Sequence, residues 1–324
     1  MKKAPSFLRL LPSIALLLAV LFAAGSSGCS LLGGDSSSSD SMTSSSSSQS
    51  ESDGYPVTVA EVIVTEKPDK VLSLSPSLTE ILCDLGYADR LAGVSDYCDY
   101  PQAVASKPKL GTVQLPDLEA IRQTGAQYLF TETAFAEQDL IALQQAQIEV
   151  ICLSPAKTLD ELEKLYTSLC TVMDGETEGT AAAQKAMDGY QEQLDRAAAT
   201  VSALTEARGE AVQVAYLRML PFTVAGGDTL EGRLLEAIGF ENVAGDYSQW
   251  SYPESKLSEY DPDFFFLDSS VTIEMLEQDA SYQNLNATLQ DSYYNLDMLV
   301  FDRQGARMFD ALEAMAQAAA DTLG

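Results

Sequence analysis

Histidine is absent from all 324 residues. That excludes a Ser-His-Asp or Cys-His nucleophile, an HExxH zinc site and histidine ligation of haem. The commonest general base is missing with it, so only carboxylates, Tyr, Lys and Cys remain for acid–base chemistry. Positive charge is scarce: 19 Lys and Arg stand against 48 Asp and Glu, a formal net charge of −29. Phosphate binding needs a basic face, so nucleic acid is excluded as a partner. Charge will not hold the chain on an anionic membrane surface either. The five cysteines include no CxxC pair, so neither a thiol redox motif nor a zinc ribbon is indicated. Tryptophan occurs once, at Trp250. What the chain does have is length and a 46% hydrophobic content, enough for one large domain or two of ordinary size.

The amino terminus reads as an address. Lys2, Lys3 and Arg9 precede an apolar run from Leu10 to Ala24. That run is too short to span a bilayer of about 30 Å and fits a signal-peptide core. Ser26-Ser27-Gly28 then lead into Cys29, small residues before a cysteine as in a bacterial lipobox. Residues 1–28 are therefore expected to be removed and Cys29 lipidated. Residues 29–54 follow as a Ser-rich, weakly acidic stretch without Lys or Arg. It has too little apolar surface to order itself and reads as a disordered tether. Its span is roughly 25–30 Å as a flexible coil. A lipid, a leash and a globular body imply the outer face of a membrane. Of the other cysteines, Cys83 and Cys152 sit inside apolar runs and read as small core residues.

The body alternates strands and helices. Val71–Leu74 is a short apolar run, and Ser77-x-x-Glu80 reads as a capping box opening a helix whose apolar face is Ile81, Leu82 and Leu85. Further strands are expected before Val94, at Tyr128–Phe130 and at 149–153. The alternation implies βαβ units and a mostly parallel sheet. The pattern then restarts with a strand over 212–217 and an Asp228-x-x-Glu231 cap. Setting Gly86 on Gly239 places Ile81 on Leu234, Leu82 on Leu235 and Leu85 on Ile238. Tyr128-Leu129-Phe130 likewise matches Phe264-Phe265-Phe266, and 297–301 is expected as the counterpart of the strand at Val150. Between the halves, Ala183, Met187, Tyr190, Leu194, Ala197, Val201 and Leu204 form the stripe of one long amphipathic helix, roughly 40 Å in length. The fold class is α/β: two Rossmann-like lobes, 55–175 and 209–324, joined by a single backbone helix over 176–208, with a ligand cleft between the lobes.

Several segments resemble one family. They are Val71–Glu80, Ala92–Pro101, Leu115-Pro116-Asp117-Leu118-Glu119, Gly226-Gly227-Asp228-Thr229 through Ala244, Tyr260-Asp261-Pro262-Asp263, and Arg303 before the last helix. The chain is similar over about 56–324 to ABC-importer substrate-binding proteins with a helical backbone, which carry cobalamin, ferric siderophores and haem. The Ser95-Asp96-Tyr97-Cys98-Asp99-Tyr100-Pro101 loop most resembles the cobalamin-binding members. The resemblance implies no enzymatic activity, no cofactor and no resident metal. It implies a monomer that captures a corrinoid and delivers it to an ABC permease and its ATPase. It puts Asp96, Tyr97, Tyr100, Gln114, Glu132, Phe135, Phe222, Trp250, Tyr252 and Arg303 at the ligand, with Arg303 as the one obvious cation. It puts Glu119 and Glu254, one per lobe, at the permease.

Rival readings remain open at this point. Within the same family the ligand could be haem, through Tyr, or a ferric siderophore, whose negative charge suits so acidic a body poorly. Outside it stand an enzyme with paired carboxylates such as Asp96 and Asp99, and a surface adhesin.

Overall fold

Alternating valines open the part of the chain described by the computed structural model, residues 54–324 with the side chains of 254, 257 and 258 excepted. The signal segment, Cys29 and the tether to residue 53 lie outside the described residues. Val57–Val59 (β1) and Val62–Val64 (β2) pair antiparallel across Ala60 and Glu61. Both turn residues have positive φ, 46° and 67°, as a tight two-residue hairpin requires.

The first lobe runs β3 (Val71–Ser73), α1 (Pro76–Asp84), β4 (Leu91–Val94), α2 (Leu118–Gln123), β5 (Tyr128–Thr131), α3 (Glu137–Gln145) and β6 (Glu149–Cys152). Its four strands are parallel, in the order β4-β3-β5-β6. The inner strands β3 and β5 are buried along their whole length, so they read as continuous apolar runs without alternation. One expected cap shifts. Helix α1 is capped by Ser75, whose Oγ accepts from Leu78 N at 3.1 Å, with Pro76 in the first turn. Proline lacks the N–H that a first-turn position leaves unpaired, which moves the start two residues earlier. Glu80 is thereby freed from capping and is buried.

Helix α4 (Leu159–Arg208) carries the chain to the second lobe, but it is two helices that meet at Gly175. There φ is 78° and ψ 174°, a backbone region open only to glycine. Gly54 lies against the break and its carbonyl accepts from Glu176 N at 2.9 Å. Gly175→Ala is expected to destabilise the protein by about 1–3 kcal/mol. Gly189→Ala, at an exposed helical site with open space at Cβ, should instead stabilise it by about 0.5–1 kcal/mol. Urea midpoints of the two variants check both signs.

The second lobe comprises β7 (Gln213–Met219), β8 (Thr223–Val224), α5 (Leu230–Ala237), β9 (Glu241–Asn242), β10 (Phe264–Asp268), α6 (Ile273–Gln278), α7 (Asn286–Leu289), β11 (Tyr293–Leu296), α8 (Met298–Phe301) and α9 (Ala306–Leu323). Strands β7, β10 and β11 are parallel, with β8 antiparallel on the far edge of β7. Helix α5 is capped by Thr229, which accepts from Gly232 N at 3.0 Å, and not by Asp228. The strand expected at 297–301 is corrected to Tyr293–Leu296. Asp297 caps the one-turn α8 by accepting from Leu299 N at 2.9 Å, and a good N-cap ends a strand there.

One hydrophobic core runs through both lobes by way of α4 and α9. Helix α9 lies along α4, with Tyr190 stacked on Phe309 at 4.2 Å and Arg196 paired with Glu313 at 2.7 Å. Of the two cysteines expected in the core, Cys83 packs against it and Cys152 does not. Cys98 and Cys170 are the buried thiols, Cys83 is half-buried and Cys152 is exposed; all four are free. Cys152 is the last residue of β6, where alternation turns it outward from the strand it resembles in composition.

On the first lobe, Asp174 receives Lys67 at 2.8 Å, Arg90 at 3.0 Å and the Tyr87 hydroxyl at 2.6 Å. Burial alone would raise this carboxyl; these partners outweigh it and hold it below the ordinary value. A depressed carboxyl stabilises above the unfolded value of about 3.9, and that contribution is lost as pH falls through the folded value. Urea midpoints measured down to about pH 3 should therefore fall less steeply in Asp174→Asn than in the wild type.

Candidate functional site

Ligands of open parallel sheets bind beyond the carboxyl ends of the strands, where the strand order reverses. In the first lobe that point lies between β3 and β5. The loops there are bridged by Ser75 Oγ, which donates to Glu132 Oε2 at 2.5 Å. Burial raises the Glu132 carboxyl; Ser75, Ser77 and Arg303 pull it back only in part. Glu231, in the first turn of α5 in the second lobe, is also buried and likewise raised by burial.

Residues 303–307 fasten one lobe to the other. Arg303 Nη1 donates to Glu80 Oε1 at 2.5 Å and to Asp99 Oδ1 at 2.7 Å. Arg307 binds both Glu80 oxygens, at 2.7 to 3.0 Å. Its guanidinium also lies 3.8 Å from the Tyr100 ring centroid. Gln304 exchanges two hydrogen bonds with the Ala156 backbone, at 2.9 and 2.7 Å. Asp84 Oδ2 accepts from Ala306 N at 2.9 Å. Burial works against the charge on Arg303, but Asp99 and Glu80 outweigh it and raise its pKa. Burial would likewise raise Asp99, and Arg303 holds it below the ordinary range.

Two pockets open between the lobes beside this fastening. One, of about 550 Å³, is lined by Pro76, Ser77, Asp96, Tyr97 and Asp99 from the first lobe and by Leu299, Asp302 and Arg303 from the second. The other, of about 500 Å³, is lined by 154–157 from the first lobe and by Arg218, Glu231, Trp250, Asp302 and others from the second. Asp302 borders both. It pairs through Oδ2 with Arg218 Nη2, and Arg218 in turn lies 4.6 Å from the Trp250 ring centroid. A third pocket of about 660 Å³ lies beside the start of β7 and among Glu236, Glu241, Asp246 and Glu259. That is the amino end of the strand, the wrong end for a ligand of such a sheet.

The structure gathers some of the expected ligand residues and separates others. Asp96, Tyr97, Trp250 and Arg303 line the interlobe pockets. Tyr97 is 69% exposed. Asp96 also holds its loop by accepting from Gly111 N at 3.1 Å. Glu132 stands at the switch point, and Tyr100 lies under Arg307. Gln114 is exposed on the neighbouring turn beside Leu115, an apolar side chain 80% exposed. Phe222 stacks on Tyr282 at 5.1 Å, against the core of the second lobe. Two of the expected aromatics are buried in the cores. Phe135 is buried among Leu72, Leu129 and Ile121. Tyr252 is buried against Tyr247 and Tyr260. Their flanking polar residues resemble those of a binding loop, but the rings fill the cores. Arg303, the cation expected at the ligand, is paired with two carboxylates, Glu80 and Asp99. The cations the sequence reading missed are Arg218 and Lys157; for Arg218 the available signal was a charged residue near the end of an otherwise apolar strand, and Lys157 lies in the loop between β6 and α4. Glu119 is exposed in the first turn of α2, paired with Arg122 and accepting from Gln123 at 3.0 Å. Glu254 opens a short 3-10 turn over Glu254–Glu259.

Comparisons with known proteins agree with this architecture. A profile of the periplasmic binding protein family matches residues 71–298. The chain is 24% identical over 280 residues to YvrC of Bacillus subtilis (strain 168), an uncharacterised ABC transporter substrate-binding lipoprotein, covering 83% of this chain and 87% of that one. It is 25% identical over 220 residues to a cobalamin-binding protein of Halobacterium salinarum, covering 64% of this chain and 58% of that one. Among solved structures, a periplasmic haem-binding protein from Pseudomonas aeruginosa superposes with a TM-score of 0.65 at 23% identity, covering 79% of this chain and 94% of that one.

Proposed function

The chain belongs to the periplasmic binding protein family, and from that premise we propose that it is the lipid-anchored receptor of an ABC importer and that its ligand is a corrinoid. It is a substrate-binding protein and not an enzyme, and it works outside the cytoplasm. Among the described residues no helix is long and apolar enough to cross a membrane; attachment through Cys29 rests on the lipobox-like Ser26-Ser27-Gly28-Cys29.

The observation that carries the corrinoid reading is the pair of pockets meeting at Asp302. A corrinoid is larger than a drug-sized ligand and calls for a site that straddles both pockets. The lining is aromatic and hydrogen-bonding, from Tyr97, Trp250, Asp96 and Ser77, which suits a broad, partly apolar disc edged with amides. Its charge does not suit a polyanion: Asp96, Asp99, Asp228, Glu231 and Asp302 line the two pockets against Lys157, Arg218 and Arg303, of which Arg218 is paired with Asp302 and Arg303 with Glu80 and Asp99. Relatives named as cobalamin-binding support the same ligand. Haem is the second reading, favoured by Tyr97, because an exposed phenol in the cleft is an axial ligand that a histidine-free chain can supply.

Titration of the full chain decides between them. Trp250 is the only tryptophan and lines the cleft, so its quenching reports occupancy. Saturable one-to-one binding of cyanocobalamin, with calorimetric heat, supports the corrinoid reading. Silence with cyanocobalamin and saturation with haemin would replace it.

The exposed carboxylate of Glu119, which the Arg122 hydrogen bond holds below the ordinary value, is proposed as the first-lobe contact with the permease, and Glu254 as the second. The double variant Glu119→Ala, Glu254→Ala should keep its ligand affinity and lose uptake in cells, since rim charges set orientation and encounter rate. Lost affinity in the purified variant would refute the docking role.

A further inference from the structure

We propose that the pocket between 154–157 and α5 holds the nucleotide end of a complete corrinoid, with Lys157 meeting its phosphodiester and Glu231 accepting from its ribose hydroxyls. This rests on the corrinoid reading of the site. The two side chains line the same space from opposite lobes. Glu231 is 7% exposed and reaches the pocket from the first turn of α5. Among the described residues its carboxylate accepts only from the residue's own N–H, and Arg218 acts on it through charge alone. A carboxylate so far removed from water and so poorly bonded is costly, and an O–H or N–H from a ligand restores the bonds that water supplied. Lys157 is exposed in the loop before α4. Its backbone N–H donates to Glu161 Oε2 at 2.8 Å, while its ammonium has no ion-pair partner among the described residues.

The other charged groups of this pocket are occupied. Arg218 is paired with Asp302, and Asp228 accepts from Gln249 N at 3.0 Å. What is left is one cation on the first-lobe wall and one buried acceptor on the second. That pair of demands selects the ligand group. The amide side chains of a corrin offer N–H donors but no anion. The ionised propionates of haem offer an anion but no donor, and a carboxylate beside Glu231 is repelled. The nucleotide loop of a cobalamin carries both, a singly charged phosphodiester next to ribose hydroxyls. Its flat base suits Trp250, which lines the same pocket. The neighbouring pocket at Asp96 and Tyr97 is then left for the edge of the corrin ring.

The test titrates the full chain, as wild type, Lys157→Met, Glu231→Ala and Glu231→Gln, with cyanocobalamin and with dicyanocobinamide, which lacks the phosphate, ribose and base. The wild type should bind cyanocobalamin at least about tenfold more tightly than dicyanocobinamide. Lys157→Met should lower cyanocobalamin affinity roughly 2- to 5-fold, the value of an exposed ion pair, and flatten its dependence on salt. Glu231→Ala should lower it about 10- to 100-fold, as expected for loss of a hydrogen bond to a charged group. Glu231→Gln keeps an acceptor oxygen and should lose less. In every variant the preference for cyanocobalamin over dicyanocobinamide should shrink. Lys157 is exposed, so its variant carries the test even where a substitution at Glu231 unfolds the chain. Merely structural roles would weaken both ligands by the same factor and leave the preference unchanged, which overturns the assignment. A wild type that binds both corrinoids equally also overturns it and leaves the corrinoid reading standing. A wild type that binds neither ends both.

Discussion

Glu80→Ala is expected to be among the most destabilising single substitutions in this chain. The carboxylate is 1% exposed and carries two guanidinium groups, Arg303 and Arg307. Removing it leaves Arg303, 9% exposed at the side chain, without its buried partner. Breaking a buried ion pair from one side costs about 3–5 kcal/mol, because the remaining charge stays desolvated. For a body of this size that corresponds to a fall of roughly 10 °C in melting temperature. Asp99 supplies the contrast. It pairs with the same Arg303 nitrogen at 2.7 Å, but its side chain is 63% exposed. Asp99→Ala should therefore cost under about 1 kcal/mol. Glu80→Gln, which keeps an acceptor without the charge, should fall between. Thermal unfolding of the three variants orders them; equal losses at Glu80 and Asp99 would show that burial does not decide the value of this cluster. Glu80 sits on the first lobe and both arginines follow the second, so the same substitution should loosen the lobes and raise hydrogen exchange over 303–307.

The architecture was legible where apolar periodicity is long. The stripe from Ala183 to Leu204 can belong only to a helix buried on one face, and Ala183, Tyr190, Leu194, Ala197, Val201 and Leu204 are indeed buried. The echo between Tyr128-Leu129-Phe130 and Phe264-Phe265-Phe266 was legible for a similar reason: each run is the buried centre of a parallel strand. Element ends were read less well. Ser75 and Thr229 compete with Ser77 and Asp228 as caps, and the winner is set by where proline permits the first turn and by a tertiary bond. The Asp228 carboxylate is in fact turned to Gln249 N, at 3.0 Å. The hairpin of β1 and β2 was invisible because three residues cannot display a period.

The site was legible at the level of loops and much less at the level of side chains. The 96–100 and 302–303 loops do reach the cleft. Whether an aromatic in such a loop faces ligand or core depends on packing between elements distant in sequence, as Phe135 and Tyr252 show. Arg303 illustrates the same limit for charge. Its partners lie more than two hundred residues away, so a cation that looks available in sequence is consumed in the fold. The fastening at 303–307 is the structural consequence: the cleft is held by a second connection beside α4. A receptor so braced meets its ligand with two walls already set, and little ordering opposes binding.

Trp250 is where that rigidity should be most visible in affinity. Gln249 and Trp250 both have left-handed backbones, with φ of 63° and 52°. Two successive non-glycine residues there are strained by roughly 1–2 kcal/mol each. The loop persists because Asp228 accepts from Gln249 N and because the indole packs edge-on to Tyr216 at 5.8 Å, with Arg218 over its ring. Strain held in place by its surroundings beside a pocket is the mark of a preset contact. On the corrinoid reading proposed above, Trp250→Ala should lower affinity about 10- to 100-fold, the value of burying one large aromatic face. It should shift the melting temperature little, because the ring is only half-buried. The readout must be calorimetry or corrinoid absorbance, since the variant has no tryptophan left to quench. Trp250→Phe should recover most of the affinity. Asp228→Ala should weaken binding severalfold although Asp228 reaches the ring only through the loop, because the indole then samples other positions before the ligand arrives. An Asp228→Ala protein with unchanged affinity would show that the ligand, and not the loop, sets the position of the ring.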